Sequence, residues 1–312
     1  MTAAAVGLSH SPLIGRNDPP PDVRAAVDAA VGEARDFVRA FDPELVVLYA
    51  PDHYNGFFYK EMPPFCLATE ATAVGDFGSA AGPLPVDTEA ARALARGVLD
   101  RGVDLTVSAR MTVDHGFAQP LEVLFGGIDR VPVVPVFVNG VATPLGPVGR
   151  VRALGTAVGE AAAALGRRVL FAGSGGLSHD PPVPVLDGAP PRVADALIEG
   201  RPPTPEQRAR GEQRVLQAGR DYAAGSGAMI PINPAWDRLV LDTLESGRLA
   251  DVDGWSVEWM GAEGGGSAHE VRTWIAAFAS LAATGEYRMT SRFYRAIPEW
   301  IAGFAVAAAE PV

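Results

Sequence analysis

Short apolar runs alternate with longer amphipathic stretches along the first half of this chain, and that alternation narrows the fold more than any other feature. The runs are AAAVGL at 3–8, ELVVLYA at 44–50, DLTVSA at 104–109, VPVVPVFV at 131–138 and RVLFAGS at 168–174. They are rich in Val and Leu and apolar on both faces, as strands are when a sheet is covered on both sides. Helical periodicity runs over 22–40, 87–101, 119–125 and 148–166. The order predicts an α/β fold with a three-layer, mostly parallel sheet and helices on both faces.

Beyond residue 180 the Pro-rich stretch PPVPVLDGAPPR leads into helical patterns at 204–223, 234–247, 267–283 and 298–308. This half reads as a helical C-terminal part covering the sheet, so 1–312 is expected to be a single domain. No repeat of solenoid period occurs.

Composition excludes several classes of function. The 35 glycines and 27 prolines argue for many loops and against a helical bundle. The net charge is −11 with no Lys/Arg-rich run, so neither nucleic acid nor an anionic membrane is an expected partner. A lone cysteine, Cys66, rules out a disulfide within the chain and a cysteine-based zinc site. The N-terminus has no basic segment followed by a long apolar one, and no run is long enough to span a bilayer. A soluble, cytoplasmic protein is expected.

Of the five histidines, His10, His53, His115 and His179 each lie just past the end of an apolar run. In an open parallel sheet, the carboxyl ends of the strands line the ligand crevice. Two of these histidines close a repeated tetrapeptide, GLSH, at 7–10 and 176–179. Taken singly, a loop histidine is usually solvated or a cap; four at one sheet edge point to a site. Imidazole serves as metal ligand and as acid or base near neutrality, so a metal site, an acid–base pair, or both are open. With no cysteine available, a carboxylate is the expected further ligand. Two histidines and a carboxylate suit the facial triad of non-haem iron(II), and equally a catalytic zinc.

The carboxylates on offer are Asp52, Asp114, Asp180 and Glu270. The three aspartates adjoin histidines and read as turn residues or as groups that orient an imidazole. Glu270 ends Ser267-x-x-Glu270 before an apolar run, which as a pattern reads as a capping box. GSGG at 173–176 lacks the spacing and the lysine of a phosphate loop, and no G-x-S-x-G elbow occurs in a strand–turn–helix setting.

The stretches LSHSPL, PELVVLYAPDHYNGFFY, MPPFCL, GDFGSAAG, DHGFAQPLE, PVFVNGVATPL, GSGGLSH, PPVP and IPEWIAGF together closely resemble the class III extradiol catechol dioxygenases, the family that includes the catalytic subunit of protocatechuate 4,5-dioxygenase. The resemblance covers residues 6–305. It implies an Fe(2+) cofactor held by His10, His53 and Glu270, with His115 as proton donor and His179 as proton acceptor. The two GLSH copies would then do different jobs, one delivering a metal ligand and the other a base. Glu270 would be a ligand rather than only a cap.

The resemblance further implies that a catechol, 3-(2,3-dihydroxyphenyl)propionate and also 2,3-dihydroxycinnamate, meets O2 and is cleaved beside its two hydroxyls to a 2-hydroxy-6-oxo-diene-dioate. A homo-oligomer, by resemblance a tetramer, is expected. The alternatives are a metal-dependent hydrolase or an inactive metal-binding relative on the same fold. Tyr54, Phe57, Phe58 and Phe117 lie near the site histidines, but aromatic residues there read equally well as core.

Overall fold

The computed structural model describes residues 2–201, 203–227 and 229–312. Strand β1 (Thr2–Leu8) is followed by α1 (Pro21–Phe41), which begins on a proline and ends at Asp42 in the left-handed region. Strand β2 (Leu45–Ala50) is buried throughout. The loop carrying His53 leads to β3 (Phe65–Ala68), β4 (Ala71–Val74) and β5 (Ala81–Pro83). Helix α2 (Thr88–Asp100) is capped by the Asp87 side chain and precedes β6 (Thr106–Ser108) and β7 (Met111–Val113). Next come α3 (His115–Phe125), β8 (Val133–Val138), α4 (Val148–Ala163) and β9 (Arg168–Ser174). The C-terminal part holds α5 (Pro191–Glu199), α6 (Pro205–Ala223), α7 (Pro234–Glu245), α8 (Val257–Gly264), α9 (Val271–Ala282), β10 (Tyr287–Ile297) and β11 (Ala302–Pro311).

The eight-stranded sheet runs β10-β11-β1-β9-β2-β8-β3-β6. Its central strands β1, β9, β2 and β8 pair in parallel, while β3 joins β8, and β11 joins β1 and β10, antiparallel. Two apolar layers flank it. One gathers α2, α4, α7 and α9, and the other gathers α1 and α3. The predicted three-layer α/β architecture is therefore observed, with helices on both faces.

A second, three-stranded sheet, β5-β4-β7, stands beside it. There β4 and β7 pair in parallel, with Ala73 opposite Val113, so the residues after both strands emerge together. That brings Asp76 to His115.

Three expectations need correction. The 298–308 pattern is not a helix: a short 3-10 turn at Pro298–Trp300 leads into the buried strand β11. Its run AVAAA is helix-prone, but lying between β1 and β10 it gains two ladders of hydrogen bonds and full burial, which outweigh propensity. The 104–109 run contributes only Thr106–Ser108, a sheet-edge strand with no buried position. Helix α3 begins at His115 itself, four residues before the expected 119, because the Asp114 side chain caps it by accepting from the Gly116 amide.

Candidate active site

Strand register delivers the histidines. Leu8 of β1 stands opposite Ser174 of β9, and Tyr49 of β2 opposite Gly173, so the turns bearing His10, His53 and His179 leave the sheet at one edge. Glu270 approaches from above. The start of α9 is tied down by Thr273 Oγ1 donating to the Ser174 carbonyl (2.8 Å) and Trp274 Nε1 donating to the Gly175 carbonyl (2.9 Å). The fit requires glycine: a Cβ on Gly7 would lie 2.1 Å from the Trp274 ring, and one on Gly175 would lie 2.7 Å from Glu270 Cβ.

The carboxylate of Glu270 is buried. Its oxygens lie 3.5 Å from His10 Nε2, 3.2 Å from His53 Nε2 and 3.1 Å from His179 Nε2, and one also accepts from the Gly176 amide at 3.0 Å. His115 stacks on His53 with ring centroids 4.6 Å apart and meets His10 edge-on at 5.3 Å. All five predicted site residues are thus in one cluster. His10, His53 and His115 also bring one ring nitrogen each within 4.8 Å of one another, as do donor atoms of Asp76, Asp114 and His115.

The Nδ1 atom of every one of these rings is occupied. Ser174 Oγ donates its only proton to the Gly116 carbonyl (2.6 Å), so at 2.9 Å it must accept from His10 Nδ1–H. His53 Nδ1 donates to Asp114 Oδ2 at 3.0 Å, and His115 Nδ1 to Asp76 Oδ2 at 2.5 Å. His179 Nδ1 donates to the Leu177 carbonyl at 2.8 Å, an acceptor that cannot donate back. In the neutral rings each Nε2 is therefore a bare lone pair. Those of His53 and His179 lie 3.2 and 3.1 Å from Glu270 Oε1, and that of His10 lies 3.5 Å from Oε2; a lone pair facing a carboxylate this closely calls for a proton or a cation between them. Donors bound to one ion at about 2.1 Å lie about 3 Å apart, close to the observed spacing. The residues present therefore fit a small divalent metal at His10, His53 and Glu270.

Burial drives the His10 imidazole down to about 3. The same burial opposes charge on His53, but the Asp114 and Glu270 carboxylates carry it well above its ordinary value. His179 is raised as well, because Glu270 outweighs the burial. Against its own burial, Glu270 is held well below the carboxylate range by His179 and His10.

Of the aspartates beside the histidines, Asp114 orients the His53 imidazole, and the other two are turn residues. Asp52 accepts the amides of Asn55, Gly56 and Phe57 and so shapes the His53 loop; burial pushes its carboxyl up to about 7. Asp180 accepts from the Ile230 and Gly266 amides and holds a turn. The capping box at Ser267 does not form: its side chain makes no cap bond, and the Glu270 carboxylate points into the cluster instead.

Of the aromatic residues, Phe117 is core, Phe57 stacks on Phe137 at 3.9 Å, and Phe58 packs on Gly200. Tyr54, next to His53, has φ 58°. Sequence reasoning missed Asp76 and Ser174 as partners of the site. Asp76 lies in the GDFG stretch, 39 positions from His115, with no local pattern to link them.

The protein-family comparison matches residues 4–305 to the catalytic LigB subunit of aromatic ring-opening dioxygenase. A protein of Rhodococcus sp named 2,3-dihydroxyphenylpropionate/2,3-dihydroxicinnamic acid 1,2-dioxygenase is 58% identical over 312 residues, covering 100% of this chain and 99% of its own. Proteins of the same name from Rhodococcus jostii (strain RHA1) and Paraburkholderia phymatum are 57% and 55% identical, covering 100% and 95% of this chain and 99% and 94% of their own. This chain belongs to the family of the catalytic LigB subunit of aromatic ring-opening dioxygenases.

Proposed function

We propose that this enzyme is an iron(II)-dependent extradiol dioxygenase acting on 3-(2,3-dihydroxyphenyl)propionate and 2,3-dihydroxycinnamate. It adds both atoms of O2 beside the two hydroxyls and yields a 2-hydroxy-6-oxo-diene-dioate. The names of the relatives support the substrate. The observation that carries the chemistry is the set of inward Nε2 atoms around the Glu270 carboxylate.

His10, His53 and Glu270 would hold the iron. When bound, iron(II) supplies Lewis acidity and free coordination positions that bring catechol and O2 together. His179 in its neutral form takes the proton of a catechol hydroxyl on Nε2, the nitrogen left with a lone pair because Nδ1 carries the proton donated to the Leu177 carbonyl. His115 gives a proton from Nε2 to the oxygen that departs as the ring opens, and Asp76 balances the charge of the ring carrying both protons. The buried walls around His10, His115 and Glu270 keep bulk water from these transfers. The same reading extends to a cytoplasmic homo-oligomer, on the resemblance alone.

A second reading rests on the close approach of His10, His53 and His115. Three histidines suit catalytic zinc and a hydrolase. The family membership and the pairing of Glu270 with both His10 and His53 favour the first reading. Anaerobic reconstitution with iron(II) or zinc(II), followed by labelled O2 and the catechol, separates them. Expected are oxygen uptake with iron only and both labelled atoms in a yellow ring-fission product. Cleavage between the hydroxyls, or activity with zinc and no oxygen uptake, refutes the proposal.

A further inference from the structure

One buried carboxylate near the site has no part in the account above. Asp237, in α7, is completely buried and has no cationic partner among the described residues. It is surrounded by donors instead. Its Oδ1 accepts the Ser178 amide at 2.7 Å, and its Oδ2 accepts the Ser178 hydroxyl at 2.8 Å and the Tyr294 hydroxyl at 2.6 Å. Ser178 Oγ in turn accepts the Asn233 amide at 2.9 Å. Across the turn, Gly303 N–H donates to the Ser178 carbonyl, and Leu177 N–H donates to the Gly303 carbonyl. A Cβ on Gly303 would lie 2.1 Å from Asp237 Oδ2, so the carboxylate occupies the space a side chain would need.

Burying a carboxylate without a counter-charge is costly, and an apolar residue could fill the same volume. The group is therefore expected to do something that a neutral side chain would not. Both bonds that join it to the second GLSH turn go to Ser178, the residue before His179. The other end of that turn is held by His179 N–H donating to the Gly264 carbonyl at 2.8 Å. Between these anchors, the imidazole is aimed with Nδ1 on Leu177 and Nε2 at Glu270 Oε1, 3.1 Å away. Among the described residues the first GLSH turn has no such carboxylate: Ser9 Oγ accepts from the Ala305 amide instead. The two copies differ where their proposed jobs differ.

We propose that Asp237 is a positioning residue for His179: through Ser178 it locks the turn so that His179 Nε2 meets the catechol proton. This rests on the reading of His179 as the proton acceptor. Asp237 hydrogen-bonds only to Ser178 and Tyr294 and to none of the proposed metal ligands, so its loss should change proton transfer while leaving iron and substrate binding alone.

The test is a double-mutant cycle on the iron-loaded enzyme with D237N and H179Q. Asn is nearly isosteric and keeps the acceptor for the Ser178 amide, but it presents an NH2 group to the two hydroxyls. D237N should keep parental iron content, hold KM within about twofold and lower kcat about tenfold. Anaerobic titration with the catechol gives a readout free of turnover: the fraction of bound substrate absorbing as catecholate should fall in D237N. In the H179Q background, D237N should cost nothing further, because the residue it positions is gone.

Parental kcat and catecholate fraction in D237N, or an equal loss in both backgrounds, overturns the proposal. If H179Q itself keeps parental kcat, the proton-acceptor reading falls and this inference falls with it. Should D237N fail to fold, S178A carries the same cycle, since it cuts one of the two bonds to the carboxylate; additive or absent loss there overturns the proposal equally.

Discussion

Replacing Ser174 with alanine tests the argument that fixes the His10 ring. The Ser174 hydroxyl is fully buried at the end of β9, donating to the Gly116 carbonyl at 2.6 Å and accepting from His10 Nδ1 at 2.9 Å. Ser174→Ala strands both groups, and the space left by one hydroxyl is too small for a replacement water. Each orphaned buried group costs about 1–3 kcal/mol, so the variant should lose about 3 kcal/mol of stability or somewhat more. For a chain of 312 residues that is a fall of roughly 5 °C in Tm. Freed from its acceptor, His10 can rotate, and removing such a support typically weakens metal affinity about 10–100-fold. Calorimetry reads the first effect, and anaerobic chelator competition for iron(II) reads the second. Iron affinity within about twofold of the parent would refute both the tautomer assigned to His10 and its place as a ligand.

Gly7→Ala would drive a Cβ to 2.1 Å from the Trp274 ring, so α9 must shift or the ring must leave its rotamer. A loss of about 3 kcal/mol in urea unfolding is expected, together with weaker iron binding because Glu270 moves with α9. Asp87 caps α2 through the Ala90 amide and pairs with Arg167, which together hold its carboxyl below the ordinary range. A depressed acid stabilises above its unfolded pKa of about 4, and that contribution is lost as pH falls through the folded value, so the deficit of about 1 kcal/mol in Asp87→Ala at about pH 7 should shrink by about pH 3. The proposed ligand set carries no thiolate and acts as iron(II), so peroxide should inactivate the enzyme and ascorbate with iron(II) should restore oxygen uptake; full activity of the ferric form argues against the scheme.

Much of the fold was legible because its central strands are apolar on both faces and its helices are amphipathic. That contrast of period survives in a single sequence. The sequence also showed histidines past strand ends, and parallel pairing in the main sheet gathers His10, His53 and His179; His115 instead follows β7 of the second sheet, not the 104–109 run. What stayed hidden depends on distant partners. The AVAAA run becomes strand because β1 and β10 flank it, and neither neighbour is visible from within the run. Ser267 and Glu270 carry the spacing of a capping box, yet the carboxylate is drawn to the Gly176 amide and three imidazoles instead. Asp76 reaches His115 only because β4 and β7 lie side by side. Ser174 lies within the GSGG stretch, and nothing in the sequence around it signals that it supports His10.

Iron content across single-alanine variants of His10, His53, Glu270, His115 and His179, measured by anaerobic equilibrium dialysis of folded protein, tests the division of roles most directly. The account predicts that the first three lose stoichiometric iron while His115→Ala and His179→Ala keep it and lose turnover about 10²–10⁴-fold. Full iron in Glu270→Ala, or loss of iron in His115→Ala, would contradict it and put the third imidazole in the place assigned to the carboxylate.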